Sequence, residues 1–147
     1  MELYAQAYQQ LAAISAVLGG LAFTAAAALL GAGVSANNPI VFGKATKLTV
    51  ASALGSAVSL VIAALIWSLM AADINRAVAR DKLDAVTNII QFNWIPSWWF
   101  ILGAILFFLS VGACGWIASR SLGIFSSAAG TIGSVMLIFM LRAFADI

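Results

Sequence analysis

The sequence predicts an all-α membrane protein of four transmembrane helices, arranged as two antiparallel hairpins joined by an amphipathic helical connector. Three observations carry this. Hydrophobic residues fill 64% of the 147 positions and charged residues only 8%, against about a quarter charged in soluble domains. Four long runs are free of charge, Arg142 closing the last of them. Finally, six of the twelve charges, Asp73, Arg76, Arg80, Asp81, Lys82 and Asp84, fall in one stretch, Ala71 to Pro96, that divides the chain into halves. A soluble chain of this length cannot hide so much apolar surface, so its solvent is lipid. Residues 1–147 make one domain.

Met1 to Gln10 holds Tyr4 and Tyr8 at helical spacing and no basic residue. A signal peptide opens on a positive region, so this segment reads as a helical lead-in with aromatic anchors at the lipid–water boundary. Leu11 to Val34 is the first span, since about 20 apolar residues cross the hydrocarbon core. Within it Ala13, Ala16, Gly20, Thr24, Ala27 and Gly31 recur at steps of three or four, which makes one whole face small. A small face lets another backbone approach closely, either as a packing surface or as a pore lining. Asn37, Asn38 and Pro39 end the helix, because proline lacks an amide donor and restricts its predecessor. Lys44 and Lys47 mark the water side of the second span, Leu48 to Met70. Ser52, Gly55, Ser59 and Ala63 form a second small face there; its hydroxyls can bond to carbonyls one turn earlier and need no further partner. Trp67, near the exit, reads as an interfacial indole.

From Ala71 to Ile90 there is no glycine or proline, so the second helix is expected to continue into water. Ile74, Val78, Val86, Ile89 and Ile90 form an apolar stripe along this connector, suited to the membrane surface or to a neighbouring chain. Asp73, Asp81 and Asp84 lack the glycine turn and terminal glutamate of a calcium loop and read as solvated ion-pair partners of the nearby bases. Phe92, Trp94, Trp98, Trp99 and Phe100 surround Pro96 as an interfacial belt, with proline suited to the first turn of a helix. The third span is Trp98 to Ala118. Ser119, Arg120 and Ser121 form a tight turn, which makes the fourth span, Leu122 to Phe144, its antiparallel neighbour. Gly123, Ser127, Gly130 and Ser134 lie along one face of that last span as a helix-packing surface.

The chemistry is defined largely by what is missing. The sequence has no histidine and one cysteine, Cys114, which removes the commonest metal and haem ligand and any disulfide within the chain. No span holds an acidic residue, and no phosphate loop, metal spacing or nucleophile–base pair occurs. Catalytic, cofactor and metal residues are therefore expected to be absent, and an enzyme is not expected. The net charge of +2 is too small and scattered for nucleic-acid binding. Four spans place both termini and the connector on one side, with Arg76, Arg80, Lys82 and Arg142 against Lys44, Lys47 and Arg120, which favours cytoplasmic termini.

Two stretches carry a family likeness. Ser15-Ala16-Val17-Leu18-Gly19-Gly20-Leu21-Ala22 resembles the pore helix of the Orai family of calcium channel subunits. Ala64 to Val78, with Ile74 followed by Ala77-Val78, is similar to that family's second-helix extension. The resemblance implies an oligomer with first helices around an axis and Thr24 as its polar ring. Ala28 stands about where the family has its filter glutamate, and the basic residues at the inner end of the pore helix are missing, so calcium selectivity is not implied. The expected function is thus a non-enzymatic, oligomeric pore or channel-like subunit. The alternative is a structural or accessory subunit of a larger membrane complex, and lipid or hydrophobic-ligand binding is a lesser possibility. Expected partners are the bilayer and either copies of the chain or other membrane subunits.

Overall fold

The structure, a computed structural model, describes residues 2–36, 43–80 and 83–145. The described secondary structure is entirely helical: α1 (Glu2–Ala36), α2 (Lys44–Ala79), α3 (Leu83–Ile90), a 3₁₀ turn (Gln91–Asn93), α4 (Trp94–Ala118) and α5 (Arg120–Ala145). Four stretches among these residues are long and apolar enough to cross a membrane: Leu3–Gly31, Lys44–Ala79, Val86–Ile117 and Arg120–Phe139. The first connection, with Asn37, Asn38 and Pro39, lies outside the described residues, as do Asp81 and Lys82 and the side chains of Asp84 and Arg142.

Each helix outruns the apolar window that announces it. Backbone hydrogen bonding does not stop where side chains turn polar, so α1 takes in the tyrosine segment and α2 runs nine residues past Met70. The second helix does not continue unbroken to Pro96. It ends in a turn in which the Arg80 amide donates to the Ala77 carbonyl at 3.2 Å. The 3₁₀ turn has a local cause in Pro96, whose ring clashes with the carbonyl four residues earlier and which has no amide to offer it. That carbonyl belongs to Phe92, in the middle of the turn. At the other end of α4 the expected three-residue turn shrinks to Ser119. Its hydroxyl accepts from the Leu122 amide at 3.2 Å, an N-terminal cap for α5.

The chain divides into two compact units, Met1–Leu21 with Ala57–Gly103, and Ala22–Ser56 with Ala104–Ile147. The core of the first is a cluster of Tyr8, Ala12, Trp67, Met70, Ile74 and Val86 among smaller alanines, with Val78, Ile89, Ile90 and Phe100 against it. Two expectations change here. The connector stripe is covered by the chain's own helices; Ile74 and Val86 are fully buried. Trp67 is 2% exposed, so it is a core residue and not an interfacial anchor. Its indole donates to Asn93 Oδ1 at 3.1 Å, and its ring lies 5.5 Å from that of Phe100. Indole pairs a large apolar body with one donor that needs a partner when buried, and Asn93 supplies the acceptor. Tyr8 is likewise buried while Tyr4 is exposed. Trp94, Trp98 and Phe92 remain exposed, as a belt at a lipid–water boundary would be.

In the second unit α4 and α5 meet backbone to backbone. A Cβ added to Gly130 would stand 2.7 Å from the Phe108 carbonyl oxygen, and one on Gly115 would collide with Ser126 and the Leu122 carbonyl. At Gly123 and Gly133 the room left by the missing side chain is taken by the Trp116 and Phe108 rings.

Candidate functional site

Three features of the helices bear on function: the two faces of α1, the α4–α5 seam, and a groove beside that seam. On α1, Ala13, Ala16, Gly20, Thr24, Ala27 and Gly31 are all exposed. A Cβ on Gly20 or Gly31 would meet nothing within 4 Å. The buried face of the same helix is a different row, Ala12, Ser15, Gly19, Ala22 and Ala26. At about 100° per residue the two rows are centred roughly a third of a turn apart. The helix therefore carries two small faces, one buried and one exposed among the described residues. At Gly19 a Cβ would sit 3.4 Å from the Ala57 carbonyl oxygen and from Leu60 Cβ, an ordinary contact that leaves little spare room.

On α5, the predicted face of Gly123, Ser127, Gly130 and Ser134 is turned to α4. Gly123 and Gly130 are buried, Ser127 and Ser134 partly so. Hydroxyls stitch the seam: Ser126 Oγ donates to the Gly112 carbonyl at 2.9 Å, and the Trp116 indole donates to Ser127 Oγ at 2.9 Å. In α2 the small face of Ser52, Gly55, Ser59 and Ala63 turns inward, Gly55 only partly. Ser52 Oγ bonds to the Leu48 carbonyl at 2.7 Å and Thr49 Oγ1 to the Ala45 carbonyl at 2.9 Å. Among the described residues no buried side-chain nitrogen or oxygen lacks a hydrogen-bond partner. These hydroxyls are occupied by their own helices, which is structural use.

The groove was not legible in the sequence. Its volume is about 590 Å³, and Leu48, Phe108, Leu109, Gly112, Trp116 and Thr131 are among its walls. A hint was available in Val111-Gly-Ala-Cys-Gly115, where glycines on the third span match those on the fourth. Of the three aspartates weighed as a metal cluster, Asp73 pairs with Arg76 at 3.3 Å with both side chains largely exposed. No family model, curated protein or solved structure matches this chain.

Proposed function

We propose that the chain is a non-enzymatic membrane protein that assembles through the outward small face of α1, as a pore- or channel-like subunit. One observation carries the reading: Ala13, Ala16, Gly20, Thr24, Ala27 and Gly31 are exposed while a separate small row of α1 serves the chain's own packing. Lipid tails solvate apolar side chains as well as protein does, so helices associate where small residues permit close approach. An outward row running most of the helix suits a second α1. In this reading α1 pairs with α2 and α4 with α5 as antiparallel hairpins, α3 joins them, and both termini face the cytoplasm. The likeness of Ser15 to Ala22 to the Orai pore helix supports the same placement. Thr24 gives the axis a hydroxyl level, and a face without charge suits a permeant that does not need a charged filter. Ser15, Thr49, Ser52 and Ser110 spend their hydroxyls on carbonyls of their own helices, which supports a structural use of them.

Val17 and Leu21, exposed beside the small row, favour the second reading, in which α1 docks on an unlike subunit of a larger complex. Flux through liposomes containing the purified protein alone separates the two. Wild-type protein should leak a small neutral solute, and Thr24→Phe should cut that leak at least about tenfold. If neither wild type nor Thr24→Gly leaks, the pore gives way to the accessory subunit. A stable monomer by native mass spectrometry in mild detergent would remove self-assembly altogether.

A further inference from the structure

We propose that the groove of the second unit binds an acyl chain of an anionic phospholipid, with Lys44, Lys47 and Arg120 holding the headgroup. The walls are apolar and the volume, about 590 Å³, lies within the ~300–1,000 Å³ of ligand-binding clefts. Its reach decides the occupant. Along α4 it extends from Ile105 to Trp116, about 16 Å of helix rise, and half of a hydrocarbon core ~30 Å thick is about 15 Å. That is the depth of one leaflet. An acyl chain anchored at headgroup level spans that depth, and the groove's reach therefore favours a lipid tail as its occupant.

Charge complements this shape. Ala45 and Leu48 line the groove from the first turns of α2, and their chain neighbours Lys44 and Lys47 are both exposed. Trp116 lines it near the end of α4, and exposed Arg120 opens α5 just after the break at Ser119. Residues 22–56 and 104–139 contain these three bases and no acidic residue, so nothing there competes with a phosphate. Basic side chains clustered where helices leave the membrane attract anionic headgroups, and their aliphatic stems can lie along apolar surface. Trp116, half exposed with its N–H held by Ser127, adds an amphipathic ring. The site requires no second copy of the chain, so it stands or falls independently of assembly through α1.

The test is native mass spectrometry of the full chain, titrated with phosphatidylglycerol and with phosphatidylcholine of identical oleoyl chains. One phosphatidylglycerol should bind at least about tenfold more tightly than phosphatidylcholine. Lys44→Gln with Lys47→Gln and Arg120→Gln, all at exposed positions, should erase that preference and leave phosphatidylcholine binding unchanged. Thr131→Trp, at an exposed wall position, should weaken both lipids by filling the channel. Equal affinity of wild type for the two lipids, or a preference that survives the triple substitution, would overturn the headgroup site. Undiminished binding to Thr131→Trp would overturn the groove as the place of the tail.

Discussion

In one compact unit the helices are wedged by Tyr8, Trp67, Met70 and Ile74; in the other they meet at Gly112, Gly115, Gly123 and Gly130 with serines between them. In the membrane reading proposed above, the difference follows from the competitor each unit faces. The first includes the charged connector, whose Asp73 and Arg76 are exposed and paired. At the charged end, where Asp73 and Arg76 meet water, burying a large apolar side chain such as Ile74 or Val86 gains roughly 25 cal/mol per Å². For the α4–α5 seam the alternative is a lipid tail, and burying leucine gains almost nothing. What helps is dispersion at short range and a hydrogen bond in a dry place. One chain thus uses two adhesives, each suited to its surroundings.

The largest expected effect tests the first of them. Trp67→Ala should destabilise the protein by about 3–5 kcal/mol, read from thermal or denaturant unfolding in detergent. Trp116→Ala, at a half-exposed position, should lose about 1 kcal/mol, chiefly its bond to Ser127. Equal losses would mean that the units are not held differently. A smaller effect separates yielding from unyielding contacts. A Cβ on Gly55 would press at 3.1 Å on Leu106 Cδ1, the tip of a side chain, whereas one on Gly130 would press at 2.7 Å on a backbone carbonyl. Gly130→Ala is expected to cost about 2 kcal/mol and Gly55→Ala about half that or less, since a side-chain tip can shift and a carbonyl in a helix cannot. The reverse order in unfolding midpoints would contradict the backbone seam. Ser126→Ala should cost only about 0.6 kcal/mol, typical of a hydrogen bond between membrane helices. Smallest is Arg76→Ala, a few tenths of a kcal/mol for an exposed pair, with an effect that fades as salt is added.

Much of the fold was legible because helices long enough to cross a bilayer leave long apolar runs in the sequence. The apolar spans read at Leu11–Val34, Leu48–Met70, Trp98–Ala118 and Leu122–Phe144, with Arg142 near the end of the last, each fall within a helix of the structure. Less legible was which side of each helix turns inward. In α1, alanine and glycine occupy nearly every position, so Ala12–Ser15–Gly19 and Ala13–Ala16–Gly20 look alike in one dimension and differ only once α2 is beside them. The α5 row was clearer, since bulky Ile124, Phe125, Ile132 and Phe139 around it left one narrow side. Trp67 was misplaced because indole suits both an interface and a core, and the acceptor that decides between them, Asn93, lies 26 residues away. The groove depends on three helices at once, which no spacing within one segment reveals.

The 3₁₀ turn at Gln91–Asn93 sets an angle as well as a boundary. A 3₁₀ helix advances about 120° per residue against about 100° in an α-helix, so three residues add roughly 60° of rotation. This twist reconciles two demands on one winding strand of chain. Val86, Ile89 and Ile90 keep toward the Trp67 core while Trp94 and Trp98 point away from it. Without the extra rotation, holding the stripe inward would swing the tryptophans round the helix axis and re-aim the aromatic belt. Pro96 thus acts as the indexing pin of a dial, fixing which way the third span presents itself to the surroundings.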